Sequence, residues 1–136
     1  MKENMKKLMR EARLDYGERT HTFNSRLAQE LGKWADVQNG ESDIHNLIYR
    51  AYFVEGKNIS DVNELLRIAE KAGFDKQAAK EVLEKRSFKS LVDADWQESR
   101  EFGITGVPTF QYNQNLLVGC QPYEMLERFI DRQTNS

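Results

Sequence analysis

Through most of the first hundred residues, apolar side chains recur every three or four positions, the spacing of helices that bury one stripe. In "NMKKLMREA", Met5, Leu8, Met9 and Ala12 share a face. A polar link, "DYGERTHTFNS", follows. Asn24 or Ser25 is placed to cap the next helix, whose stripe is Leu27, Leu31 and Trp34 with Ala28 and Ala35 beside it. Asn39 and Gly40 in "QNGES" supply stop chemistry near its end. From about Asp43 a third helix turns Ile44, Leu47, Ile48, Ala51 and Tyr52 inward. Asp61, with Glu64 three residues on, has the spacing of a capping box. Val62, Leu65, Leu66 and Ala69 then face inward until Gly73. Asp75 is placed to cap a fifth helix containing Ala78, Ala79, Val82 and Leu83. Ser87 is placed to cap a sixth, with Phe88, Leu91, Val92 and Trp96 on one side. Gly103 can end that helix in a left-handed conformation without a Cβ clash.

The period then changes. "TFQYNQNLLV" has strand composition around Asn113-Gln114-Asn115, which predicts a short hairpin turn. The run Leu116, Leu117, Val118 predicts a strand covered on both faces. Pro122 sits at the first position of a last helix, where its missing N–H costs nothing. Leu126, Phe129 and Ile130 form that helix's expected buried stripe. The expected fold is α+β and mostly helical: a helical domain over residues 1–102, then a hairpin and a helix over 103–136.

Charge narrows the function. Twenty basic and 22 acidic residues leave a net charge of −2. No block of like charge supplies a basic stripe, so a nucleic-acid partner is not expected. No apolar run approaches the roughly 20 residues needed to span a bilayer. The opening "MKENMKKLMREAR" has neither an apolar signal region nor a cleavage site, so a cytoplasmic protein with no membrane partner is expected. Lys2, Lys6, Lys7 and Arg10 give the first helix a basic face, yet its apolar face is short and lacks a large aromatic residue, which favours packing over membrane contact.

The candidate chemistry is sparse. His21 and His45 lack a second ligand at metal spacing, and no glycine-rich phosphate loop is present, so neither metal nor cofactor is expected. Trp34 and Trp96 lie on apolar stripes and read as core. The single cysteine, Cys120, sits in "LLVGCQP" and reads as a small buried hydrophobe rather than a reactive thiol.

"GITGVPTF", the hairpin and "VGCQPYEML" together resemble the DsbA-like thioredoxin superfamily, and within it the FrnE-like branch. That branch is related to 2-hydroxychromene-2-carboxylate isomerases and kappa-class glutathione transferases. Upstream, "FNSRLAQELGKWA", "LIYRAYFVEGKNIS", "AEKAGFD" and "VDADWQESREFGITGVPTF" look like its helical insertion. The resemblance covers roughly residues 14 to 131. It implies a thiol-disulfide oxidoreductase or isomerase class. Full-length members place a βαβ segment with C-x-x-C first, and that segment has no counterpart here. A truncated thioredoxin-like fold without dithiol chemistry of its own is therefore expected.

The resemblance also implies a site. Gly106, Val107, Pro108 and Thr109 match the loop that pairs with an extended peptide, with Val107–Pro108 cis. Asn24, Arg26 and Tyr52 match helical-domain residues that could face the cleft, although such residues more often cap and pack helices. Three accounts stay open: a piece of a longer dithiol enzyme, a non-catalytic peptide- or protein-binding module, and a relative of the glutathione-dependent isomerases and transferases. The hairpin's unpaired edges lead to one further expectation, a homodimer whose contact includes residues 107 to 130.

Overall fold

The computed structural model describes residues 2–38 and 40–134, so the stop role assigned to Asn39 lies outside the described residues. In chain order the elements are α1 (Lys2–Glu11), α2 (Arg26–Asp36), α3 (Ile44–Phe53), α4 (Val62–Lys71), α5 (Lys76–Glu84), α6 (Lys89–Glu101), β1 (Thr109–Tyr112), β2 (Asn115–Val118) and α7 (Tyr123–Thr134). The fold is α+β and mostly helical. Contacts divide it into two units, residues 1–93 and 94–136.

In the first unit the stripes of α2 to α5 meet in one core. Leu31, Ile44, Leu65, Ala69 and Ala79 are wholly buried, and Trp34 packs on Phe74 with ring centres 5.1 Å apart. Alanines along the seam let the helix axes approach. Leu27, Leu47, Tyr52 and Val62 sit on the rim of this core, half-buried.

The helix ends show which polar signals are used. Asp75 caps α5, its carboxylate accepting from the Ala78 amide at 3.2 Å. Asp61 caps α4 through the Asn63 amide at 3.0 Å. The other half of the predicted capping box does not form. The Asp61 N–H already donates to the Asn58 carbonyl at 3.1 Å, so Glu64 instead accepts from Arg67 at 2.6 Å. At the start of α2 Ser25 holds the N-cap position without a side-chain cap bond, its Oγ accepting from Gln29 Nε2, while Asn24 ahead of it accepts from the Arg26 amide through Oδ1 at 2.9 Å. α2 stops at Asp36, before "QNGES". α6 begins two residues after Ser87, because the Ser87 N–H bonds back to the Val82 carbonyl at 3.1 Å.

The second unit is built differently. Among the described residues every buried apolar side chain lies between Ala28 and Val92, and none from 94 to 134 is buried. β1 and β2 pair antiparallel, with Thr109 opposite Val118 and Tyr112 opposite Asn115. The turn is therefore Asn113-Gln114, with Asn113 left-handed (φ 56°), a conformation that asparagine tolerates. Three apolar expectations are corrected here. Leu116 and Leu117 are half-buried and Val118 is exposed, so β2 is not covered on both faces. Leu126 and Phe129 are half-buried and Ile130 is exposed, so α7 buries no complete stripe. Leu91 and Trp96 on α6 are also exposed. In the second unit the reason is that a two-stranded sheet, α7 and the end of α6 are too few to surround a side chain. Pro122 lies just ahead of α7, and its carbonyl accepts from the Met125 amide at 3.0 Å.

Candidate functional site

The last turns of α6 present Trp96, Ser99 and Arg100 at spacings that share one face. Gly103 ends the helix at φ 78°, with its N–H on the Arg100 carbonyl (3.0 Å) and the Ile104 N–H on the Ser99 carbonyl (3.0 Å). These two bonds make a Schellman turn, which folds the chain back along the helix. Residues 104–107 then run beside Trp96, Ser99 and Arg100, and the two stretches line an open cavity of ≈ 470 Å³. Arg100 is the one charged residue of this lining. Its Nη2 donates to Gln97 Oε1 at 2.8 Å.

Gly106 and Val107 line this cavity, and Pro108 then leads into Thr109, the first residue of β1. Thr109 Oγ1 donates to the Gly106 carbonyl at 2.6 Å. The Pro108 carbonyl accepts from the Gly119 N–H at 2.8 Å, extending the β1–β2 ladder by one bond. The Val107–Pro108 peptide is cis. A backbone tied from both ends carries a side chain left outside: Val107 is 91% exposed. The expectation that Trp96 is core is overturned, since it is 45% exposed and walls the cavity.

Cys120 is exposed, which corrects its reading as a buried hydrophobe. The chain leaves β2 through left-handed Gly119 (φ 95°), and no layer of the described residues covers the loop that follows. The bond from Gly119 to Pro108 puts Cys120 one residue beyond the proline loop's own hydrogen bond.

The three candidate cleft residues have structural tasks. Asn24 accepts from the Arg26 amide at the start of α2. Arg26 donates to the Lys89 carbonyl at 2.9 Å and pairs with Glu30 and Asp93. Tyr52 is half-buried, lying edge-on to Phe53 and under the Arg19 guanidinium at 4.4 Å from its ring centre. All three belong to the unit 1–93, whereas the proline loop belongs to the other. His21 touches Thr20 and Phe23, and His45 Nε2 lies 2.7 Å from Asp36 Oδ1. Among the described residues no group of three or more histidine, cysteine or acidic side chains could hold a metal ion.

The pair that sequence reasoning misses is Glu30 with Arg86. Glu30 is wholly buried and held by Arg86 and Arg26. The Arg86 hydrogen bonds keep its carboxyl below the usual carboxylate range against the opposing effect of burial. A signal existed: Glu30 is three residues after Leu27 and four before Trp34, inside the apolar stripe.

A DSBA-like thioredoxin domain model matches residues 1–131. The chain belongs to this family. DsbA-like thioredoxin domains are of the thiol-disulfide oxidoreductase type. The chain is also similar to the uncharacterized protein YwbO of Bacillus subtilis (strain 168), 29% identical over 105 residues that cover 76% of this chain and 52% of that protein. The DsbA-like chain thus spans about half the length of the curated relative it matches. No helix among its described residues is long and apolar enough to cross a membrane.

Proposed function

We propose that this DsbA-like chain, of the FrnE-like branch, binds an extended polypeptide at its proline loop and has no dithiol exchange of its own. The observation that carries the reading is the loop itself: a backbone fixed by hydrogen bonds at Gly106 and Pro108 that leaves Val107 91% exposed. A presented, pre-ordered backbone suits pairing with an extended chain, because little ordering cost remains to be met on binding. The second half follows from chemistry. Dithiol exchange needs a thiolate that attacks and a second thiol that resolves the mixed disulfide. Cys120 is the only cysteine in the sequence.

Two measurements test this reading together. The purified chain should leave insulin reduction at its uncatalysed rate, with Cys120→Ser indistinguishable. It should bind a labelled extended peptide, and Val107→Asp should weaken that binding by about tenfold or more. Catalysed reduction abolished by Cys120→Ser, or peptide binding indifferent to Val107→Asp, contradicts it.

We further propose that a second copy covers part of residues 107–130, giving a homodimer. Phe110, Val118, Tyr123, Met125 and Ile130 are all exposed, and a lone hairpin is marginal in water. Sedimentation at micromolar concentration should give about twice the chain mass, and a stable monomer contradicts it. A cytoplasmic location is part of the same reading, supported by a single cysteine that needs no oxidising compartment.

A further inference from the structure

We propose that the cavity between α6 and residues 104–107 is a specificity pocket for the bound polypeptide. It takes a large apolar side chain against Trp96 and a neighbouring carboxylate on Arg100. This rests on the reading that the proline loop binds extended polypeptide, and it adds what that polypeptide must carry.

The volume and walls define the apolar half. A cavity of ≈ 470 Å³ is larger than any single side chain, so it accommodates a Leu- to Trp-sized group with part of its flanking backbone. Trp96, Ile104 and Val107 supply its apolar walls, and Trp96 and Val107 are exposed on the chain as it stands. Apolar surface of this kind gains by covering.

Charge defines the other half. Helix geometry turns about 100° per residue, which puts Glu98 on roughly the opposite side of α6 from Trp96. Glu101 is engaged by Gln97 Nε2 at 3.2 Å and does not line the cavity. Arg100 therefore acts there without a competing carboxylate in the lining. Its guanidinium donates to Gln97 Oε1 through Nη2, and a fork of five N–H donors can still meet a carboxylate. The hydroxyls of Ser99 and Thr105, also in the lining, can donate to the same group. An amine-bearing side chain would face Arg100 and be rejected. The fitting ligand is thus an extended segment with a large apolar residue next to Asp or Glu.

The test is a fluorescence-anisotropy panel of three labelled extended peptides on the whole chain: Leu-Glu, Leu-Gln and Ser-Glu at the central pair. The expected order is Leu-Glu tightest, with each of the others weaker by about tenfold. Arg100→Gln should weaken Leu-Glu about tenfold and leave Leu-Gln unchanged. Trp96→Ala should weaken both leucine peptides. Trp96 is exposed, and far-UV circular dichroism would show that each variant keeps its helices. If all three peptides bind equally and neither variant matters, the pocket proposal is overturned while polypeptide binding stands. If none binds, the underlying reading fails and this proposal with it. Peptide binding that disappears as chain concentration rises assigns the cavity to a second copy and also overturns it.

Discussion

Arg86 holds the carboxylate of Glu30 side-on, with Nε 2.9 Å from Oε1 and Nη2 2.6 Å from Oε2. Arg26 reaches the same carboxylate from its own helix with Nε at 3.3 Å, and continues to the Lys89 carbonyl and to Asp93. One buried acid thereby joins α2 to the turn before α6 and, through Arg26, to the first turn of α6. Glu30→Gln keeps the shape and removes the charge, taking from Arg86 its carboxylate partner while Arg26 keeps the Lys89 carbonyl and Asp93. The expected loss is roughly 3 kcal/mol, at the low end for a broken buried pair because Arg86 can turn toward water. Urea denaturation checks it, and an unchanged midpoint contradicts it.

Acid should expose the same network. Glu30 is held below its ordinary value of 4.5, first by the hydrogen bonds from Arg86. Asp93 is held below 3.8, first by Arg26 and then by Lys89. Both carboxyls are harder to protonate in the folded chain, so their stabilisation is fully present above the ordinary values and is lost as pH falls through the lower, folded ones. Stability should stay level down to about pH 5 and then decline. The decline should be shallower in Glu30→Gln, and parallel curves would show that Glu30 is not the group responsible.

Gly17 fastens the polar link onto α3. Its N–H donates to the Phe53 carbonyl at 2.8 Å, and a Cβ there would stand 1.8 Å from the Val54 carbonyl oxygen. Backbone cannot yield as a flexible side chain would, so Gly17→Ala must lift the link. A cost of about 1–3 kcal/mol is expected in thermal or urea unfolding. A neutral substitution would mean that the link is not docked on α3.

Cys120 should react with a thiol reagent in the folded chain almost as fast as after denaturation, because it is exposed. Cys120→Ala should leave the unfolding midpoint within about 0.5 kcal/mol of the parent. Protection of a hundredfold or more in the native protein would place another polypeptide over this loop.

Hydrogen exchange should separate the two units. Amides of α2 to α5, around a closed core, should exchange through global unfolding. Those of β1 and β2, with no buried residue near them in the chain, should exchange faster by several orders of magnitude. Equal protection in both would contradict the account of a unit without a core.

Much of this was legible in the sequence, and the failures share a cause. The 3.6-residue stripes located α2 to α5 because Leu31, Ile44 and Leu65 bury against each other inside one unit. Asp61 and Asp75 announced caps, because those bonds are local. The apolar pattern puts Trp96, Val118 and Ile130 in a core, yet all three are exposed. Pattern says which face is apolar, and not whether anything covers it. Cys120 is exposed for the same reason: an apolar neighbourhood in sequence does not supply a covering layer. The Glu30–Arg86 pair joins residues 56 apart, and no local spacing encodes it. The motif around Pro108 is legible in the sequence, whereas the wall that Trp96 and Arg100 build beside residues 104–107 depends on the Schellman turn at Gly103, which no local spacing encodes.

Binding at the proline loop is the claim on which the rest depends, and a ¹⁵N-resolved titration tests it most directly. An extended peptide with leucine followed by glutamate is added to the labelled chain at stoichiometric and then excess concentration. The account predicts shifts at Gly106, Val107, Thr109 and the Trp96 indole, with the amides of α2 to α5 unmoved. Shifts centred on residues 26–84 would contradict it, as would a spectrum that does not change.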